Sequence, residues 1–269
     1  MKSIFRAMAV SMCIVTAAQA QTSAPLVIGE TFTIDSKVMH EVRRINVYRP
    51  TIYGDTTVTP LPVMYMPDGG LAEDFLHVAG LIQVGTSNGT MRPFLLVGIE
   101  NTQRRRDTTG PTDNPEDKKI APQVGGSAKF REFIRTELIP AIKSRYRTTP
   151  ETAIVGESLA GLLVVETFML EPNLFDTYIA FDPSLWWNNG KLVKDAATML
   201  KGKKLTGKSL YLAGSSNSGL AEVASKLDAA IRSTPGTGLS WQYVNLPGET
   251  HATIYHSAAL QAFRALFKP

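Results

Sequence analysis

Short runs of consecutive apolar residues alternate along this chain with stretches where apolar residues recur every three or four positions. The first pattern marks strands and the second marks helices. Phe32 to Ile34 and Glu41 to Tyr48 read as an antiparallel pair, with Arg49-Pro50 opening a turn. Leu61 to Met66 is a short apolar strand that stops at Asp68-Gly69-Gly70; Phe75, Leu76, Val78, Ala79 and Ile82 then predict a helix over 72–83. Phe94 to Ile99 is apolar throughout, as a strand covered on both faces must be. Residues 101–126 are charged and rich in Thr, Pro and Asp, which predicts a loop. Phe130, Phe133, Ile134, Leu138, Ile139 and Ile142 predict a long amphipathic helix over 127–146, kinked at Pro140, which has no amide hydrogen. Strands at 152–155, 177–181, 209–213 and 240–246 then alternate with helices over 159–170, 192–200, 220–231 and 258–267. This alternation predicts an α/β architecture with a mostly parallel central sheet and helices on both faces. Neither an internal repeat nor a second core is visible, so 21–269 is expected to form one domain.

The first twenty residues stand apart from that pattern. Lys2 and Arg6 make a basic start, Ala7 to Ala17 an apolar run, and Ala18-Gln19-Ala20 a small-x-small cleavage site, the layout of a secretory signal peptide. The apolar run is too short for a permanent bilayer span. Residues 1–20 are therefore expected to be removed on export to the periplasm or the medium, with no stable membrane insertion. Cys13 is the only cysteine and lies in that segment, so the mature chain has no disulfide, cysteine nucleophile or thiolate metal site. Apolar residues make up 43% and charged residues 19% of the chain, which excludes a disordered protein. Of the formal net charge of +4, Lys2 and Arg6 contribute two, and the remaining charge of about +2 is too small to imply nucleic acid.

The chemistry concentrates at Thr152-Ala-Ile-Val-Gly-Glu-Ser158-Leu-Ala-Gly161. A β-branched run breaks into a small-residue turn around one serine and passes at once into an apolar helix, the layout of a nucleophile elbow. Gly156, Ala160 and Gly161 allow strand and helix to approach closely; the plainer reading of Ser158 is a helix N-cap. A serine hydroxyl needs a base to become nucleophilic at neutral pH. In this architecture the base follows the serine in the chain, which disfavours His40 and His77. His251, in Pro247-Gly-Glu-Thr-His251 after the last strand, is the expected base, and His256 the fallback. The oxyanion donors are expected to be backbone amides: Leu159, directly after the nucleophile, and Gly70, in the turn after the Leu61 strand. No His-Glu-x-x-His spacing and no serine three positions before a lysine is found, so neither a metal nor a Ser–Lys mechanism is implied. No cofactor is implied either.

Two features bear on the substrate. Arg104-Arg105-Arg106 is the one dense basic cluster, either a solvated loop or, through Arg106, a grip on an anionic or polar substrate. Trp186-Trp187 is either packing or an aromatic wall beside the nucleophile.

Taken together, these residues resemble the esterase branch of the α/β-hydrolases that includes enterochelin esterases and esterase-D-like acyl hydrolases. The likeness runs from about Ile34 onward and rests on Val63-Met-Tyr-Met-Pro-Asp68-Gly69, Val97-Gly-Ile-Glu-Asn101 with Arg106-Asp107, and Phe133-Ile-Arg-Thr-Glu137-Leu-Ile-Pro140. It continues in Gly156-Glu-Ser158-Leu-Ala-Gly-Leu162, Asp182-Pro-Ser-Leu-Trp-Trp187 and Glu249-Thr-His251. The resemblance implies an α/β-hydrolase fold with Ser158 as nucleophile and His251 as base. It implies a small-molecule ester substrate of siderophore or aryl type, with Arg106, Trp186 and Trp187 as binding residues. Such proteins often carry an acid in a Gly-x-x-Glu turn after the next-to-last strand, where this chain has Gly214-Ser-Ser-Asn217. The group that orients His251 is then Asp182, Glu222, or Asn217 in a Ser–His dyad, since a triad is defined by geometry. Acyl transfer, peptide or C–C hydrolysis on the same fold, and a non-catalytic exported binding protein stay open. Export itself has a direct check: intact-mass measurement of the secreted or periplasmic protein is expected to give a chain beginning at Gln21.

Overall fold

The computed structural model describes residues 23–55 and 58–269, so the segment read as a signal peptide lies outside the described residues. Eight strands pair into one sheet: β1 (Glu30–Ser36), β2 (Glu41–Tyr48), β3 (Leu61–Pro67), β4 (Leu95–Ile99), β5 (Thr148–Glu157), β6 (Thr177–Phe181), β7 (Ser209–Gly214) and β8 (Ser240–Asn245). Their order across the sheet is β1-β2-β4-β3-β5-β6-β7-β8. β1 and β2 are antiparallel to their neighbours, and every pairing from β4 to β8 is parallel.

Both faces are buried because each central strand sends alternate apolar residues to opposite sides. Tyr65, Val97 and Ile154 join one core, and Met64, Leu96, Ala153 and Val155 the other. The second core is closed by α1 (Phe75–Ser87) and α8 (Ile254–Leu266), through Phe75, Val78, Ala258 and Phe263. The first is covered by a long helix starting at Ser127, by α5 (Ser158–Leu170), α6 (Trp187–Leu200) and α7 (Ser218–Arg232). Helix α5 is buried nearly all round, from Leu159 to Met169, which explains why it has no polar face in the sequence.

Four local departures from the sequence reading stand out. The 101–126 segment is not all loop; it holds α2 (Arg104–Thr108) and a single 3₁₀ turn at Asp117–Lys119. The kink expected at Pro140 is a π-turn over Ile134–Leu138, between α3 (Ser127–Phe133) and α4 (Ile139–Arg145). A proline ring strikes the carbonyl four residues back and gives it no hydrogen bond, and widening the preceding turn relieves that crowding. The start of α6 is broken by left-handed Asn188, Asn189 and Gly190. Finally, α8 begins at Ile254, four residues earlier than the apolar spacing suggests, because its first turn is anchored by Thr250 carbonyl accepting from Thr253 and Ile254.

The β5–α5 crossing is a tight backbone approach at the sheet edge. A Cβ on Gly156 would lie 2.7 Å from the carbonyl carbon of Ala160 and 2.8 Å from its oxygen. Those are backbone atoms that cannot rotate away. Gly156→Ala is therefore expected to destabilise the protein by about 1–3 kcal/mol, lowering Tm by roughly 2–4 °C per kcal/mol. Thermal unfolding followed by circular dichroism checks this, and an unchanged Tm would contradict the tight crossing.

Candidate active site

The parallel strands end in one row. Glu157 is registered with Phe181, Phe181 with Ala213, and Ala213 with Val244. The residues that follow therefore leave the sheet side by side, at the edge where α/β sheets place their sites. Ser158 leaves β5 at φ 60° and Asp182 leaves β6 at φ 38°. Left-handed backbone is uncommon for any residue with a Cβ, though aspartate tolerates it better than most. Beyond β8, the loop carrying His251 returns over the same edge.

These three side chains meet. His251 Nε2 is 3.1 Å from Ser158 Oγ, and Nδ1 is 3.2 Å from Asp182 Oδ2. Asp182 is completely buried, and its other oxygen accepts the Ser215 amide at 2.7 Å. Burial opposes ionisation of Asp182, but the hydrogen bonds from His251 and Ser215 outweigh it and hold the carboxyl below its ordinary range. The same bond to Asp182 raises His251 against the opposing effect of burial. A neutral imidazole with Nδ1–H given to Asp182 leaves Nε2 as a proton acceptor facing the hydroxyl. Leu159 stands in the first turn of α5, where backbone amides have no acceptor within the helix.

Of the other candidates for the orienting group, Asn217 caps α7 by accepting the Leu220 amide at 3.4 Å, and Glu222 pairs with Lys226 on the exposed side of that helix. Neither hydrogen-bonds His251. His256 lies on α8 with its ring 5.0 Å from that of His77, away from the serine. The pocket of about 380 Å³ over the site is lined by Ser158, Ser184, Trp186, Asn217, Gly219, Leu220 and His251.

Three sequence expectations are corrected. The Gly70 amide is taken by its own turn: it donates to Glu73 Oε2 at 2.7 Å while the Glu73 amide donates back to the Gly70 carbonyl. The turn closes on itself as a capping box does. Trp187 is not part of the wall: it is 4% exposed, and its indole N–H donates to the Gly110 carbonyl at 2.8 Å. Only Trp186, 42% exposed, borders the pocket. Arg106 turns inward, as described below.

Sequence reasoning assigned no role to Ser184, whose hydroxyl is 3.5 Å from that of Ser158 and whose amide donates to the Ser158 carbonyl at 2.9 Å. It also passed over Glu157, although a charged residue closing an apolar strand is a legible signal. Arg104, at the start of α2, clamps Asp68 through Nε and Nη2, both at 2.7 Å.

This sheet, with a serine at a left-handed strand-to-helix turn and a histidine supplied after the last strand, is the α/β-hydrolase fold. The chain belongs to the family described as Putative esterase, whose model matches residues 36–267. It is 30% identical over 208 residues to the siderophore triacetylfusarinine C esterase of Aspergillus fumigatus, covering 69% of this chain and 65% of that one. It is 33% identical over 147 residues to the ferri-bacillibactin esterase BesA of Bacillus subtilis, covering 49% and 51% of the two chains. The chain thus spans about half to two thirds of the length of these relatives. Among solved structures, an IroE-like serine hydrolase from Shewanella oneidensis superposes with a TM-score of 0.80 at 27% identity, over 89% of this chain and 80% of that one. The siderophore hydrolase EstB from Aspergillus nidulans shares the fold with a TM-score of 0.78 at 20% identity, over 93% and 98% of the two chains.

Arg106 belongs to a buried charge network behind the site. Its Nε donates to Asp107, and Nη1 and Nη2 donate to Glu41 at 3.1 and 2.7 Å. Fully buried Arg43 donates to both Glu41 and Asp107, with its guanidinium over Phe130 and Phe133. Carboxylates on both sides thus hold Arg106 away from any ligand. Burial alone would raise Glu41, but hydrogen bonds from Arg106, Thr102 and Arg43 bring it down to about 2. A carboxyl depressed on folding adds stability above its unfolded value, and that stability is lost as pH falls towards the folded one. Glu41→Gln is expected to be roughly 1–3 kcal/mol less stable than wild type at neutral pH, after allowance for solvent screening. The gap should close between about pH 4.5 and 2. Urea unfolding at pH 7 and pH 3 checks this; a gap equal at both pH values would contradict it.

Proposed function

We propose that this protein is an exported serine esterase that hydrolyses a carboxylic ester through an acyl-enzyme on Ser158. The observation that carries the reading is the continuous chain from Ser158 Oγ to His251 Nε2 and from Nδ1 to Asp182, with separations of 3.1 and 3.2 Å. Membership of the esterase family supports it.

In this reading Ser158 attacks the ester carbonyl as its proton passes to His251 Nε2. The negative charge then formed on the carbonyl oxygen is met by the Leu159 amide, a contribution of about 3 kcal/mol in comparable sites. His251 returns the proton to the departing alkoxide, and the alcohol leaves. Water then gives a proton to His251 and its oxygen attacks the acyl carbon; collapse restores Ser158 and releases the carboxylic acid. Asp182 keeps the Nδ1 proton in place and stabilises the imidazolium in both halves.

Names of the relatives point to siderophore esters as substrates of those proteins. For this chain, exposed Trp186 beside Leu220 supports an aryl acyl group, in a siderophore-type ester or lactone or a simpler aryl ester. Residues 1–20 act as the export signal in front of a single hydrolase domain over 21–269. Labelling with a fluorophosphonate probe, followed by peptide mapping, tests the nucleophile. Wild type is expected to carry the probe on Ser158, and Ser158→Ala to lose both labelling and aryl-ester turnover. Asp182→Asn should lower kcat by about ten-thousand-fold. Labelling at another serine, or full turnover by Ser158→Ala, would overturn the assignment.

A further inference from the structure

The reaction above leaves Glu157 without a task, yet its carboxylate reaches the same imidazole. Its Oε1 lies 3.2 Å from His251 Nδ1, as close as Asp182 Oδ2 on the same nitrogen. The Nδ1 hydrogen bond goes to Asp182, and Glu157 Oε1 is buried with no hydrogen-bond partner. An unpaired buried carboxylate oxygen is costly, and such groups cluster where their charge is used. The backbone holds it there. Glu157 closes β5 and shares the strand face of Ala153 and Val155, which pack towards α1 and α8. It therefore projects to the side from which His251 approaches.

We propose that Glu157 is a second, charge-supplying carboxylate of the base: it flanks Nδ1 beside Asp182 and stabilises the imidazolium formed when Ser158 gives up its proton. This rests on Ser158 and His251 acting as nucleophile and base. Asp182 positions the ring through a hydrogen bond, while Glu157 acts through charge alone. The charged and titratable groups facing Glu157 are His251 after β8, Asp182 after β6, Arg104 on α2, Asp74 ahead of α1, and Tyr255 on α8. Burial pushes Glu157 up to about 7; His251 and Arg104 oppose the rise, and Asp74 and Asp182 add to it. Its charge thus changes within the neutral range. The coupling is mutual, since Glu157 is also one of the groups that raise His251. Each imidazolium formed favours an ionised Glu157, and each ionised Glu157 favours the imidazolium.

Glu157→Gln keeps the shape and removes the charge. With labelled histidine followed by NMR, the His251 midpoint is expected to fall by about one pH unit. The acid limb of kcat/KM for an aryl ester should move down by the same amount, and plateau kcat should fall about three- to tenfold with little change in KM. A folded Glu157→Gln protein, verified by circular dichroism and Tm, with an unchanged His251 midpoint and acid limb would overturn the proposal. In the unmutated protein, the carboxyl carbon of Glu157 is expected to titrate above the ordinary carboxylate range, and a carboxyl that stays protonated across the whole working pH range of the enzyme would overturn the proposal without any variant. The His251 titration reads the coupling whether or not the protein turns over ester. Loss of the esterase reading itself would instead show as turnover that survives Ser158→Ala.

Discussion

A left-handed serine between a buried strand and a buried helix is the constraint around which the rest of this molecule is arranged. At φ 60°, Ser158 carries a conformation that costs about 1–2 kcal/mol for a residue with a Cβ. Such strain persists only where the surroundings over-determine it. Here β5 sits at the middle of the sheet, α5 is buried along most of its length, and Gly156 lets the two backbones touch. The serine hydroxyl is consequently held out from the sheet edge rather than folded back as a helix cap.

Because the neighbouring parallel strands stop in register with β5, the same edge also supplies Asp182 and Ser215. Asp182, leaving β6, is one strand away from Ser158, and the amide of Ser215, just past β7, secures it. His251 Nδ1 meets Asp182 rather than the turn after β7, where Asn217 caps α7.

Carboxylates outnumber cations around this edge, and the arginines that look available in sequence are committed elsewhere. Arg104 clamps Asp68 and lies close enough to Glu157 to favour its ionised form, while Arg106 and Arg43 sit behind the site on Glu41 and Asp107. Two arginines of the basic triplet on α2 thus function as internal counter-charge, while exposed Arg105 donates to the Ile120 carbonyl. The pocket over Ser158 takes its character from Trp186, Leu220 and small polar residues.

Periodicity determined the strand-helix order and the two-faced sheet, and the small-residue turn between strand and helix marked the elbow around Ser158, because those depend on neighbours in the chain and on burial, which residue type records directly. His251 was legible by its place after the last strand. What only the tertiary structure decided were partnerships between distant segments. The contact of His251 with Asp182, the inward turn of Arg106, the different settings of Trp186 and Trp187, and the closure of Gly70 on Glu73 all belong here. So does the second carboxylate at Nδ1. Each depends on which side chains strand register and loop return bring within about 3 Å, and no spacing along the sequence encodes that distance.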